Sequence, residues 1–297
     1  MPQPHHESVP LETSEQLHAA LTEVTAWEKE QNKLMIWDRL SRLPFKLIDK
    51  LMPKIIHDKM GLLLDELGSY IQNGGNYLVA GNKVKNLVAS MSRKAGGLEQ
   101  GPYSVATMDE AALQLINSGR DTATVQGATT GFGGVFTLAA DIPAILGLSL
   151  KVIQEIGLCY GYDPTDKTER IFTVKVMQFA SSDIVGKQAV LQELNLQAGG
   201  SGDIMEGANN AVSKIQGWRE VITVYRDNFG WKKLMQMIPV AGMVFGAYTN
   251  RKALEDVGEA ARMLYRKRRI LARLAETAEE IGREHVELGL DWWFELD

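Results

Sequence analysis

The stretch DIPAILGLSLKVIQEIGLCY, residues 141–160, decides how this chain is read. Asp141 ahead of Ile142 and Pro143 has the form of an N-cap followed by a first-turn proline, which predicts that a helix starts there. Ile142, Ile145, Leu146, Leu148, Leu150, Val152, Ile153, Ile156 and Leu158 then fall on nearly every side of a 3.6-residue spiral. A helix that is apolar all round belongs in the middle of other helices. Gly161 ends it, and Asp163 with Pro164 makes a turn before the next one.

Working outward, apolar steps of three and four predict helices over 13–31 and 33–59, the second divided by Pro44 and Pro53. A further helix over 76–94 ends at Gly96 and Gly97, where glycine suits a left-handed cap. Thr107 and Glu110 match a capping box, so a helix is expected over 107–118. Toward the C-terminus, helices are predicted from 165 or 166 to 180, over 183–196 and over 204–225. An apolar run at 235–248 and a long helix over 251–282 follow. Gly199, Gly200, Ser201 and Gly202 form the clearest connector. Strand alternation is hard to find. The expected fold is all-α, a single multi-helix bundle with a buried central helix over about 141–160 and a glycine-rich, close-packed segment over about 122–140. Its expected divisions are a flexible tail at 1–12, one helical domain at 13–290 and an acidic aromatic tail at 291–297, with Trp292, Trp293 and Phe294.

The chain has 297 residues, with 45% hydrophobic and 23% charged, which is ordinary globular usage. Its net charge of -5 argues against nucleic acid as a partner, because that role calls for a basic excess. One cysteine, Cys159, excludes an intramolecular disulfide framework and points to a reducing, cytoplasmic setting. Residues 1–10 do not read as a signal peptide. Two long uncharged runs, 122–140 and 234–250, approach the ~20 residues of a membrane helix. The first is rich in threonine and glycine and ends at Asp141; the second contains Pro239. Neither is expected to span, and both are read as core or as shallow lipid-facing segments.

No hydrolase elbow and no metal-ligand spacing among His5, His6, His18, His57 and His285 is present, so neither a metal nor a cofactor is expected. Gly127, Gly131, Gly133 and Gly134 admit two readings: a loop whose amides cradle an anion, or a small-residue face for close helix packing. Asp141, Asp163 and Glu169 are the carboxylates nearest the ends of the central helix. Asp141 and Asp163 cap opposite ends, roughly 30 Å apart, so only Asp163 with Glu169 could share a site. Two basic blocks stand out in this acidic chain. Lys46, Lys50, Lys54 and Lys59 lie in the first, and Arg262, Arg266, Lys267, Arg268 and Arg269 in the second. Either could rest on an anionic membrane surface, each cation adding about 1 kcal/mol, or be a helix face paired with acids.

The chain resembles the EcsC protein family. The resemblance is carried by Trp27-Glu28, Gly127 to Gly134, Ala140-Asp141-Ile142-Pro143, Ile153-Gln154-Glu155-Ile156, Tyr160-Gly161-Tyr162-Asp163 and Glu169. It resumes at Ile238-Pro239-Val240-Ala241-Gly242, Gly246-Ala247, Asn250 and Tyr265-Arg266-Lys267-Arg268. It covers most of the chain beyond the tail. The family takes its name from a protein encoded beside an ABC-type exporter, so the resemblance implies at most a bacterial accessory role near the membrane, with a transporter as a partner, and it supplies no established catalytic residues to carry over. The leading expectation is a non-enzymatic cytoplasmic protein, peripheral on the inner face of the membrane. The alternatives are an enzyme with a pocket beside Gly127–Gly134 and Asp163 or Glu169, and a helical scaffold that docks a partner.

Overall fold

The computed structural model describes residues 11–31, 79–98, 101–132, 135–182, 184–198 and 241–287. Seven helices lie within them: α1 (Ser14–Gln31), α2 (Gly81–Lys94), α3 (Val105–Phe132), α4 (Val135–Cys159), α5 (Lys167–Ser181), α6 (Ile184–Ala198) and α7 (Ala241–Glu287). Among the described residues there is no strand.

Helix ends follow local chemistry. Before α1, the Gln16 amide donates to Thr13 Oγ1 at 3.2 Å and the Thr13 amide to Gln16 Oε1 at 2.9 Å, a reciprocal capping box. Past the end of α4, Gly161 takes φ +86°, the left-handed region that favours glycine. Its amide donates to the Leu158 carbonyl and that of Tyr162 to the Gly157 carbonyl, so the chain turns off the helix with its carbonyls satisfied.

Three boundaries differ from expectation. Helix α3 starts at Val105, capped by the Ser104 hydroxyl, which accepts the Thr107 amide at 3.2 Å. It runs on through the glycine-rich segment instead of stopping near residue 118. The reason is packing: Gly119, Ala123, Gly127 and Gly131 recur every fourth residue along α3, with Ala123, Gly127 and Gly131 buried. Close approach there offsets the ~0.5–1 kcal/mol that each mid-helix glycine costs. Helix α4 begins at Val135, so Asp141 and Pro143 lie inside it rather than at its start. Helix α7 joins the apolar run to the long basic helix in one 47-residue rod of about 70 Å.

The rod α7 packs along α3 and also touches α1, α4 and α5, while α2 rests on α3 and α4, and α6 on α5. Ile145, Leu146, Ile153 and Ile156 of α4 are buried together with Leu254 and Leu264 of α7, so the 141–160 stretch is the centre its pattern demands. A second cluster of Leu17, Val24, Val105, Met263 and Ile270 fastens α1 to the rod.

Candidate functional site

The second basic block turns inward. Arg262 bonds Asp109 of α3 at 2.9 Å and Glu259 at 2.8 Å, and Asp109 also accepts the Tyr160 hydroxyl at 2.5 Å. Arg266 reaches Glu23 of α1 at 2.8 Å. Lys267 holds both oxygens of Glu28 at 2.8 and 2.9 Å and the Asn195 side-chain oxygen at 2.8 Å. Arg268 grips Glu169 with two bonds of 2.8 and 2.6 Å, and its guanidinium lies 4.1 Å from the ring centres of both Tyr162 and Phe172. Burial works against the Arg268 charge, but the Glu169 bonds outweigh it and hold the group above its ordinary range. Arg269 is part-buried, its Nε without a hydrogen-bond partner. Arg262, Arg266, Lys267 and Arg268, read from the sequence either as a membrane-facing surface or as a helix face paired with acids, each meet a carboxylate here and fasten the rod to α1, α3 and α5. Lys46, Lys50, Lys54 and Lys59 lie outside the described residues.

The glycine segment serves packing at Gly127. A Cβ built there would sit 2.1 Å from the Gly246 carbonyl oxygen, so the backbones of α3 and α7 touch. That contact leaves no room for an anion between Gly127 and Gly246. Gly131 is buried one turn on, and Gly133 and Gly134 lie outside the described residues. The carboxylates part company as well. Asp163 is exposed and accepts the Thr165 amide at 2.8 Å, which lowers its pKa, whereas Glu169 is buried against Arg268. Asp141 lies within α4, its side chain outside the described residues.

Two surface features remain. The first is the end of the α3–α7 pair. From 122 to 132 and from 241 to 250 no residue is charged, and the ionic groups resume level with each other, where Arg251 approaches Asp121 at 3.9 Å. On the outer faces Val125, Val244 and Tyr248 are 67%, 73% and 62% exposed. The hydroxyls of Thr122, Thr124, Thr129 and Thr130 donate to carbonyls four residues back, so their polar demand is met within the helix.

The second feature is a cleft of about 350 Å³ between α1, α5, α6 and α7. Its lining includes Ile171, Phe172, Leu194, Leu264 and Leu271, and Lys175, Lys267 and Arg268 supply its cations. Among the described residues no group of three metal-ligating side chains occurs, and no helix is long and apolar enough to cross a membrane.

The EcsC protein family model matches residues 18–270. This chain belongs to the EcsC family. It is 51% identical to the uncharacterized protein YdbA of Bacillus subtilis strain 168 over 278 residues, 92% of this chain and all of YdbA. Protein EcsC of the same strain is 32% identical over 177 residues, 60% of this chain and 68% of that one. No solved structure matches. In this EcsC-family chain several residues that carry the resemblance converge on the middle of α7. Glu28 meets Lys267, Glu169 meets Arg268, and Tyr162 packs on Tyr265 with ring centres 5.4 Å apart. Sequence reasoning missed Asp109, Lys175 and Asn195. Arg262 lies 153 residues from Asp109 in the chain, a separation at which no local spacing can betray a partner.

Proposed function

We propose that this EcsC-family protein is a non-catalytic, membrane-peripheral protein of a reducing compartment, which dips the charge-free end of its α3–α7 pair into one leaflet. The observation that carries this reading is the length of that end: about ten residues per helix, roughly 15 Å of rise, bounded by Arg120, Asp121, Arg251 and Lys252. That is half of a ~30 Å hydrocarbon core. Such an end enters a leaflet without crossing the bilayer. Three features support it. The helices meet backbone to backbone at Gly127 and Gly246, as in close-packed membrane pairs. The threonine hydroxyls donate internally and so cost little to dehydrate. Val125, Val244 and Tyr248 present exposed apolar surface whose burial is worth on the order of 5 kcal/mol, enough for reversible association. This replaces the second basic block, on α7, as the contacting surface.

Flotation with neutral phosphatidylcholine vesicles tests the reading. The wild-type chain is expected to float at both 0.1 and 0.5 M salt, roughly, since the contact is apolar and not screened. A Val244→Asp, Tyr248→Asp double variant, with unchanged helicity and melting, is expected to stay at the bottom. Wild-type protein that never floats, or a double variant that floats equally well, overturns it.

A further inference from the structure

A second site lies some 18 residues along α7 from Gly246, about 27 Å away. The cleft of about 350 Å³ has a size at the small end of the range for ligand sites, and its floor is apolar: Ile171 and Phe172 of α5, Leu194 of α6, Leu264 and Leu271 of α7. Its charged lining is unbalanced, with Lys175, Lys267 and Arg268 against Glu28 alone. Two of the cations are spoken for. Lys267 makes three contacts, to the two Glu28 oxygens and Asn195, and Arg268 is pinned edge-on by Glu169 and face-on by Tyr162 and Phe172. Lys175 differs. It bonds Glu193 once, at 2.7 Å, from a side chain 16% exposed to a carboxylate 40% exposed, so Glu193 is the partner that can turn to water while Lys175 keeps its need for an anion opposite. An incoming anion can replace Glu193 at small cost, and the departing carboxylate turns to solvent.

We infer that this cleft binds a single-chain amphiphile with an anionic head, its apolar body against Phe172, Leu194, Leu264 and Leu271 and its head at Lys175. The head carries a carboxylate or a phosphate; both offer the oxygens that an ammonium requires. The apolar body supplies affinity by burial, and the cation supplies orientation.

Calorimetric titration of the full chain with decanoate, decyl phosphate and uncharged decyl maltoside, each below its micelle threshold, tests this. At least one of the two anions is expected to bind saturably at one per chain, the tighter naming the head, and decyl maltoside at least tenfold more weakly. Lys175→Gln is expected to weaken the anion at least tenfold with melting unchanged, and Lys175→Arg to restore it. Ala272→Phe, which fills the cleft from the rod side, is expected to abolish binding. The Val244→Asp, Tyr248→Asp variant is expected to bind the anion normally, which separates this site from the bilayer contact. Absence of saturable binding by either anion, equal binding of decyl maltoside, or anion binding unaffected by both Lys175→Gln and Ala272→Phe overturns the assignment.

Discussion

Gly127 shows how one atom decides a helix crossing. Any side chain there meets the Gly246 carbonyl at 2.1 Å, and because the obstacle is backbone, the two helices must part. Gly127→Ala is expected to destabilise the protein by about 1–3 kcal/mol, read as a lower denaturant midpoint. Gly147 is the matching control, since a Cβ there meets nothing within 4 Å. Gly147→Ala is expected to stabilise by about 0.5–1 kcal/mol, the ordinary gain of replacing a mid-helix glycine. At Arg268 the prediction is electrostatic. Glu169→Gln removes the carboxylate from a largely buried guanidinium and is expected to cost about 2–3 kcal/mol in urea unfolding. The presence of Gly127 and Arg268 was legible in the sequence, as was the choice between packing and anion binding for the glycines. Which alternative held depended on Gly246, which is more than a hundred residues away in the chain.

At the scale of one element, the C-terminal end of α4 gathers three groups that resist ionisation. Burial, with the Glu155 charge behind it, pushes the Cys159 thiol up to about 12. Burial and then the Asp109 carboxylate raise the Tyr160 hydroxyl, and burial raises that of Tyr162. Each group is neutral when folded and ionises more easily when unfolded. Its stabilising share is therefore complete below the unfolded pKa, near 9 for the thiol and 10 for the phenols, and is lost as pH rises through the folded values. Denaturant midpoints measured from pH 8 to 12 are expected to fall steadily above pH 9, and Cys159→Ala to shallow the early part of that fall. Helix ends tell a related story. Gly96 and Gly161 act in the structure where their type suggested, because caps are local. The end of α3 and the starts of α4 and α7 did not follow local signals. Tertiary burial carried these helices through glycine, past Asp141 and Pro143, and across the apolar run.

Across the whole molecule, charge and apolar surface are segregated along the rod. Its middle is tied to α1, α3 and α5 by paired cations, and its first ten residues carry no charge. If that end meets lipid, the net charge of -5 opposes anionic surfaces. Neutral vesicles are then expected to bind the protein at least as well as anionic ones at low salt, with added salt narrowing the difference in co-flotation. A strong preference for anionic vesicles would overturn the apolar contact and favour the basic sequence block of Lys46, Lys50, Lys54 and Lys59.

The sequence by itself determined the all-α class, the central place of residues 141–160 and the family, because periodicity, caps and ordered motifs are written within short windows. Tertiary structure alone decided that Arg262, Arg266 and Arg268 of α7 meet carboxylates of α3, α1 and α5, that Gly127 faces Gly246, and that a cleft opens beside Lys175. Each of those outcomes depends on which distant side chain arrives opposite. An ion pair or a backbone contact is set by the meeting of two helices, and the pattern of either helix alone carries no record of its partner.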